Sequence, residues 1–120
     1  MKTAGFHHIQ ISVSDLDKSL AFYTGLLGMK EKFRVGGRLV FLSTPGSNDL
    51  LTLRPVDKPV DPEAGGLQHF GFSVAPEDHE DAVAEAKAFG AEVVDAGRQG
   101  RAERPYAYIK DPDGYVIELS

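Results

Sequence analysis

Two histidines and one glutamate are the residues best suited to chemistry in this sequence. His8 and His69 lie 61 positions apart in similar segments, residues 6–13 and 68–74, and Glu118 lies in a mainly aliphatic stretch near the C-terminus. Neutral imidazole and carboxylate groups are good ligands for divalent iron, manganese, zinc, nickel or cobalt. Three protein ligands leave positions open for water or substrate, which is typical of a catalytic site. The alternative is that the histidines are ordinary sheet residues and Glu118 is a solvated edge residue.

Composition narrows the kinds of protein and of site that remain. The 120 residues include no cysteine, which excludes disulfides, thiolate-bound metals and a thiol nucleophile. Lys and Arg number 13 against 18 Asp and Glu, and the net charge of −5 argues against nucleic acid as a partner. No apolar run approaches the ~18 residues of a membrane helix, and the N-terminus does not resemble a signal peptide. We therefore expect a cytoplasmic protein with no membrane partner.

The two similar segments begin two halves with the same predicted order of elements. In each half an alternating strand is followed by an amphipathic helix and three further strands. The strands are expected at about 6–13, 30–35, 38–43 and 49–54, and again at about 68–74, 91–95, 105–110 and 115–119. Residues 55–66 have the proline and glycine content of a linker, and 97–104 are expected to form a polar connection. The sequence predicts an α+β fold of two βαβββ modules, about 4–54 and 67–120, which pair within the chain or across a dimer.

Strand alternation separates an apolar face from a polar face in each half. In the first strand, His8, Gln10 and Ser12 share the polar face, while the other face packs under the helix. His7 falls on the apolar face and is the weaker ligand candidate, and His79 is expected on the solvated surface of the second helix. Gln10 and Ser12 are therefore candidates for contact with a substrate bound beside His8.

The segment 111–114, Asp-Pro-Asp-Gly, determines where the last two strands pair. Because Pro presets φ and Gly accepts a positive φ, we expect a three-residue hairpin loop. That register places Tyr108 opposite Glu118, where its hydroxyl could act on a ligand oxygen as a catalytic group or simply line the pocket. A slip by one residue would remove Tyr108 from this position. Tyr106 shares the face of Tyr108, and Phe33 is a further candidate for the substrate pocket, with a place in the core as the alternative.

Three motifs resemble the vicinal oxygen chelate superfamily over nearly the whole chain. HIQISVSDL at 8–16 with SLAFY at 19–23 resembles the opening of its first module, HFGFSV at 69–74 that of the second, and DPDGYVIEL at 111–119 its closing hairpin. The superfamily includes glyoxalase I, extradiol dioxygenases, fosfomycin-resistance enzymes, methylmalonyl-CoA epimerase and bleomycin-resistance proteins. The resemblance implies two modules paired into a cup-shaped, partly open barrel-like sheet with helices outside. It also implies that His8, His69 and Glu118 hold one divalent metal.

The resemblance further implies a metal-dependent enzyme acting on a small substrate that chelates the metal through oxygen. Glyoxalase I activity would need a glutamate on the last strand of the first module, where this chain has Thr52. Two histidines and one glutamate better resemble dioxygenases or fosfomycin-resistance transferases, so dioxygenase-type chemistry is expected first, and lyase, isomerase or thiol-transferase chemistry next. A transferase needs cationic groups, for which the candidates are Arg34, Arg54, Arg101 and Arg104. The alternative is a non-catalytic protein that sequesters a drug or metabolite. Fold analogy implies a homodimer.

Overall fold

The computed structural model describes all 120 residues, which form two compact units, Met1–Val60 and Asp61–Ser120. Each unit contains one four-stranded mixed sheet and one main helix, so the predicted α+β fold of two βαβββ modules is confirmed. The boundary between the units lies within the segment 55–66 that the sequence marks as a linker. No helix has both the length and the hydrophobicity needed to cross a membrane.

The first unit has the strand order β1-β4-β3-β2, with β1 parallel to β4 and the other pairs antiparallel. Its elements are β1 (Ile9–Val13), α1 (Leu16–Leu20) with a π-helical continuation (Ala21–Leu26), β2 (Lys30–Val35), β3 (Leu39–Ser43) and β4 (Leu51–Pro55). Helix α1 begins at Asp15, whose carboxylate accepts a hydrogen bond from the backbone N–H of Lys18 at 3.1 Å. The core of this unit contains Phe22 and Tyr23 of the π-helical segment and aliphatic side chains of β1, β3 and β4, all of them buried.

The second unit repeats this order as β5-β8-β7-β6, with β5 parallel to β8. Its elements are β5 (Phe70–Phe72), a 3₁₀ turn (Pro76–Asp78), α2 (His79–Phe89), β6 (Val93–Gln99), β7 (Arg104–Lys110) and β8 (Val116–Leu119). Helix α2 ends at Gly90, which has the left-handed φ of 97° that favours glycine at this position. The core side of the sheet carries Ala107, Ile109 and Ile117, all of them buried.

The hairpin between β7 and β8 has the predicted register. Asp111 is 5% exposed, and its Oδ1 accepts hydrogen bonds from the backbone N–H groups of Asp113 and Tyr115, both at 2.9 Å. The N–H of Asp111 donates to the carbonyl of Tyr115 at 3.0 Å, which closes the three-residue loop. Tyr108 consequently lies opposite Glu118, as the turn chemistry predicts.

Strand β6 is longer than the sequence indicates, and this corrects the expected polar connection over 97–104. Residues 97–99 belong to β6 and pair with β7, and only the tip of this hairpin forms a turn. The register shifts between Val93 and Asp95, so a bulge interrupts the simple alternation of side chains. Val93 pairs with Ile109 of the core face, whereas Asp95 pairs with Tyr108. The bulge therefore moves Asp95 to the face that carries the candidate site.

Candidate metal centre

His69 and Glu118 form a close pair in the second unit. The imidazole Nε2 lies 3.1 Å from Oε2 of the carboxylate, and the side chains are 40% and 17% exposed. A nitrogen and an oxygen donor at this separation, with solvent access to the imidazole, match the ligand types that divalent transition metals prefer. These two of the three predicted ligands therefore fit a metal ion.

A row of four residues crosses the second sheet through Glu118. The register pairs Gly71 with Glu118, Glu118 with Tyr108, and Tyr108 with Asp95. A Cβ on Gly71 would lie 3.1 Å from the backbone oxygen of Glu118, closer than side chains normally approach, so glycine allows the tight packing of β5 on β8. The row brings two carboxylates and one phenol onto the face of the candidate site.

Tyr108 contacts both candidate ligands of this unit. Its ring centroid lies 5.3 Å from that of His69 in an edge-on arrangement. Desolvation raises the pKa of the Tyr108 phenol, and the charge of Glu118 and a hydrogen bond to that carboxylate raise it further. Tyr108 is therefore protonated at neutral pH and has a hydroxyl that can donate a hydrogen bond beside Glu118.

A cavity of about 580 Å³ opens beside His69 within the second unit. Apolar side chains from both ends of the segment 61–68 and from the β7–β8 hairpin line it, together with Lys110, Asp61 and Glu63. Lys110 lies 3.7 Å from Glu92 across an exposed ion pair. The cavity thus combines room for a small molecule with charges of both signs.

His8 lies in the first unit and is exposed. Its Nδ1 is 2.8 Å from Nδ1 of His7, so one of these nitrogens donates a hydrogen bond and the other accepts it. The His8 ring packs on Phe41 with a centroid distance of 5.7 Å, which matches the way His69 packs on Tyr108. Because the contact with His7 uses Nδ1, Nε2 of His8 is the nitrogen left to bind a ligand. His7 itself is exposed, which corrects the prediction from the sequence that it lies on the apolar face packed under the helix.

The equivalent row of the first sheet is uncharged. It pairs Gln10 with Thr52, Thr52 with Phe41, and Phe41 with Phe33. Thr52 thus has the register position that Glu118 has in the second sheet, and it is fully buried, with no protein hydrogen-bond partner for Oγ1. Phe33 stacks on Phe41 at 4.4 Å and 19° and is 44% exposed, so Phe33 is not a core residue. The first unit offers an aromatic surface in place of a carboxylate.

Two arginines line a cavity of about 460 Å³ in the first unit. Arg38 and Arg54 share this cavity with Gln10 and three apolar residues, and Ser12 pairs with Arg54 in the register of β1 and β4. The Arg34 guanidinium donates two hydrogen bonds to the Glu31 carboxylate, so it is already occupied by an ion pair. Arg104, another of the arginines predicted as anion-binding groups, lines a separate cavity in the second unit.

The structure brings together two of the three predicted metal ligands. No group of three or more His, Asp or Glu side chains is arranged to hold a metal ion. His69 and Glu118 fit a metal by donor type and distance, while His8 presents an accessible imidazole in the other unit.

Besides His7, the sequence misjudged or missed three residues. His79 is only 6% exposed, and its Nε2 has no protein hydrogen-bond partner, which corrects the expectation of a solvated histidine. Asp95 was missed because only the bulge turns it to the site face. Arg38 was missed because it follows the Gly-Gly turn, where strand alternation gives no direction.

The family model of the Glyoxalase/Bleomycin resistance protein/Dioxygenase superfamily matches residues 5–119. The chain therefore belongs to this superfamily, and the resemblance to vicinal oxygen chelate proteins is confirmed. Glutathione transferase FosA of Serratia marcescens is 30% identical over 118 residues, which cover 94% of this chain and 77% of that protein. Metallothiol transferase FosB of Staphylococcus epidermidis is 27% identical over 119 residues, which cover 99% of this chain and 82% of that protein.

A solved structure of a fosfomycin resistance protein has the same fold. It is a FosX variant from Listeria monocytogenes complexed with Mn(II) and 1S,2S-dihydroxypropylphosphonic acid. The TM-score is 0.81 at 22% sequence identity, and the match covers 98% of this chain and 90% of that chain.

Proposed function

We propose that this protein is a divalent-metal-dependent enzyme in which His8, His69 and Glu118 bind one metal ion. The observation that carries the proposal is the 3.1 Å pair of His69 and Glu118 on a solvent-accessible sheet face. Two related proteins, a metallothiol transferase and a FosX variant complexed with Mn(II), support a metal in this superfamily. A bound divalent cation would polarise oxygen atoms of a small chelating substrate as a Lewis acid.

We infer that the reaction is the transfer of a thiol to a small electrophile that carries oxygen atoms for the metal. FosA and FosB, which the chain resembles over most of its length, are named as thiol-using transferases. The sequence alone favoured dioxygenase-type chemistry, and this remains the second candidate, since two histidines and one carboxylate suit iron(II). The Thr52 position offers no carboxylate, which argues against glyoxalase I activity.

The chain's own residues have separate tasks in this proposal. Tyr108 donates a hydrogen bond at the Glu118 side of the site, where a substrate oxygen would lie. Gln10 and Ser12 contact the substrate from the His8 face, and Tyr106 does so beside Tyr108.

Two surfaces of the first unit would bind the rest of the substrate. Phe33 and Phe41 form a stacked aromatic surface for its apolar part. Arg38 and Arg54 provide two guanidinium groups for an anionic part, and such groups bind oxyanions with two parallel hydrogen bonds.

We further propose that the two units act as one domain and that the protein is a cytoplasmic homodimer. The ligand set is divided between the units, with His8 in the first and the other two ligands in the second. A second copy can complete the set if His8 of one chain joins His69 and Glu118 of the other. The exposed apolar side chains Phe33, Val35, Leu67 and Val94 are consistent with a protein partner.

Activity is tested with purified protein loaded with Mn²⁺, Zn²⁺ or Fe²⁺. Loss of free thiol is measured with glutathione or cysteine and a panel of small epoxides that carry a phosphonate or carboxylate. Thiol consumption that Glu118→Gln abolishes and that Glu80→Gln preserves supports the transferase. Glu80 is a suitable control because it is an exposed glutamate of α2. Oxygen uptake with catechols and iron(II) in place of thiol consumption would favour the dioxygenase.

A non-catalytic sequestering protein is the outcome if no substrate turns over. Such a protein would bind an aromatic ligand with no requirement for metal, and the affinity would be the same in wild type and Glu118→Gln. Tight metal-independent binding without turnover would overturn the enzyme proposal.

Sharing of the site between two chains is tested by mixing two inactive variants, His8→Ala and Glu118→Gln. A mixed dimer with shared sites has one site with both mutations and one site with neither. Random exchange between two-fold dimers then restores about a quarter of the wild-type metal content. Sites formed within one chain give no restoration, and a monomer in sedimentation rejects the dimer.

A further inference from the structure

Asp95 and Tyr106 form a hydrogen bond on the face of the candidate metal centre. The phenol of Tyr106 donates to Oδ2 of Asp95 at 3.0 Å, between neighbouring strands β6 and β7. Asp95 is exposed and Tyr106 half-buried, so neither residue is needed to fill the core. Exposed polar pairs contribute little to stability, so the main effect of this bond is to hold the Tyr106 side chain in one position.

Gly97 lies directly under the Tyr106 ring. The register pairs the two residues, and a Cβ on Gly97 would lie 3.1 Å from the Tyr106 hydroxyl oxygen and 3.3 Å from a ring carbon. Gly97 does not have a positive φ, so its conformation does not require glycine. Glycine is therefore explained by the close approach of the ring, which crosses the backbone of β6 to reach Asp95.

The Tyr106 ring contacts Tyr108, which in turn contacts a candidate metal ligand. The Tyr106 and Tyr108 ring centroids are 5.7 Å apart with an interplanar angle of 54°. Tyr108 lies 5.3 Å from the His69 ring and opposite Glu118 in the register. One continuous series of contacts thus runs from Asp95 to both His69 and Glu118.

We propose that Asp95 is a positioning residue of the metal centre, which holds Tyr106 across Gly97. Tyr106 then limits the movement of Tyr108, so that the Tyr108 hydroxyl stays directed at Glu118. The proposal rests on the proposed function only in calling His69 and Glu118 metal ligands. The hydrogen-bonded groups that hold a ligand in place typically affect metal affinity about 10- to 100-fold. Asp95 acts through two intervening rings, so we expect a smaller effect.

The protonation of Tyr106 is consistent with this role. The hydrogen bond to Asp95 is the main cause that raises the pKa of the Tyr106 phenol, followed by desolvation and by the charge of Asp95. Tyr106 therefore remains protonated at neutral pH and donates this bond to Oδ2 of Asp95.

The position of Tyr108 is read by NMR in metal-free protein labelled with ¹³C at the tyrosine ζ carbon. The chain has 4 tyrosines, so the resonances are few and are assigned by Tyr→Phe variants. Tyr106→Phe is the decisive variant, because it removes only the hydroxyl and keeps both the ring and the Asp95 charge. We expect it to shift the Tyr108 resonance, and Gly97→Ala to shift it as well by displacing the Tyr106 ring.

Two control variants separate positioning from general effects. Gly65→Ala adds a methyl group where no atom lies within 4 Å and φ is not positive, and it matches Gly97→Ala. Asp81→Ala removes a carboxylate from an exposed side chain of α2 and matches Asp95→Ala. Both controls should leave Tyr108 at its wild-type resonance.

The functional consequence is measured as the dissociation constant for Mn²⁺ at fixed pH. We expect Tyr106→Phe and Asp95→Ala to raise it about three- to tenfold, below the range for groups bonded directly to a ligand, and Asp81→Ala to leave it unchanged. A wild-type Tyr108 resonance in both Tyr106→Phe and Gly97→Ala would overturn the proposal. A shifted resonance with unchanged Mn²⁺ affinity would also overturn it. If the resonance shifts but wild type binds no metal, the positioning contact stands and the proposed metal site fails.

Discussion

Replacement of Asp111 by alanine tests how local turn chemistry controls the register of the site. The carboxylate accepts two backbone hydrogen bonds at 2.9 Å and is 5% exposed. Each hydrogen bond to a charged group contributes about 1.5–3 kcal/mol. Both donors lie in a turn that is only partly buried, where water can replace the acceptor in the variant. We therefore expect Asp111→Ala to lower the free energy of unfolding by about 3 kcal/mol, at the low end of the combined range.

The matched control is Asp61→Ala. Asp61 makes the same kind of turn contact, but its carboxylate accepts one backbone hydrogen bond, from Glu63 at 3.0 Å, and it is exposed. Its loss should cost about 0.5–1 kcal/mol. Urea denaturation monitored by far-UV circular dichroism gives both values. A cost of less than about 1 kcal/mol for Asp111→Ala, or equal costs for the two variants, would refute the argument that Asp111 holds the hairpin.

Three further changes have outcomes that follow from single contacts. Thr52→Val should stabilise the protein by about 1 kcal/mol in urea denaturation, because it removes a buried hydroxyl that has no protein partner. Gly71→Ala should destabilise the protein by about 1–3 kcal/mol and weaken metal binding, since the added Cβ would lie 3.1 Å from the Glu118 backbone oxygen. Asp95→Ala should lower the pKa of Tyr106 toward its ordinary value in a near-UV phenolate titration, because the bond to Asp95 is the main cause of the raised pKa.

The sign of the alkaline effect on stability follows from that raised pKa. A group whose pKa is higher in the folded state stabilises the protein below its unfolded pKa and loses this contribution as pH rises through the folded pKa. Wild-type stability should therefore fall more steeply than that of Asp95→Ala across the alkaline titration of Tyr106. Parallel slopes would contradict the assigned bond between Tyr106 and Asp95. A Thr52→Val variant that is less stable than wild type would contradict the argument from the unpartnered Thr52 hydroxyl.

The fold could be predicted from the sequence because its determinants are local. Turn chemistry in the segment 111–114 fixed the hairpin, and the pairing of Tyr108 with Glu118 followed from it. The amphipathic pattern after the second alternating strand predicted α2, which ends at Gly90. The repeat of His8 and His69 identified two modules, which the two units reproduce.

The residues that the sequence did not predict correctly depend on features other than the simple alternation of side chains along a strand. Plain alternation would put Asp95 on the same face as Val93, toward the core. The bulge between them reverses this, because it depends on how β6 pairs with β7 along its length. The burial of His79 likewise depends on packing around the start of α2, where sequence shows only an acidic surrounding. The position of Asp95 and the burial of His79 are both tertiary effects, which local propensity does not predict.

Metal titration by calorimetry tests the central claim that His8, His69 and Glu118 bind one divalent ion. Protein prepared without a metal-affinity tag is stripped with chelator and titrated with Mn²⁺ and Zn²⁺. Wild type should bind one ion per chain, and His8→Ala, His69→Ala and Glu118→Gln should each weaken binding at least about 100-fold, more than the loss of a supporting group. His7→Ala should retain the one-ion stoichiometry. A wild-type protein that binds neither metal, or a His8→Ala variant with wild-type affinity, would contradict the proposed centre.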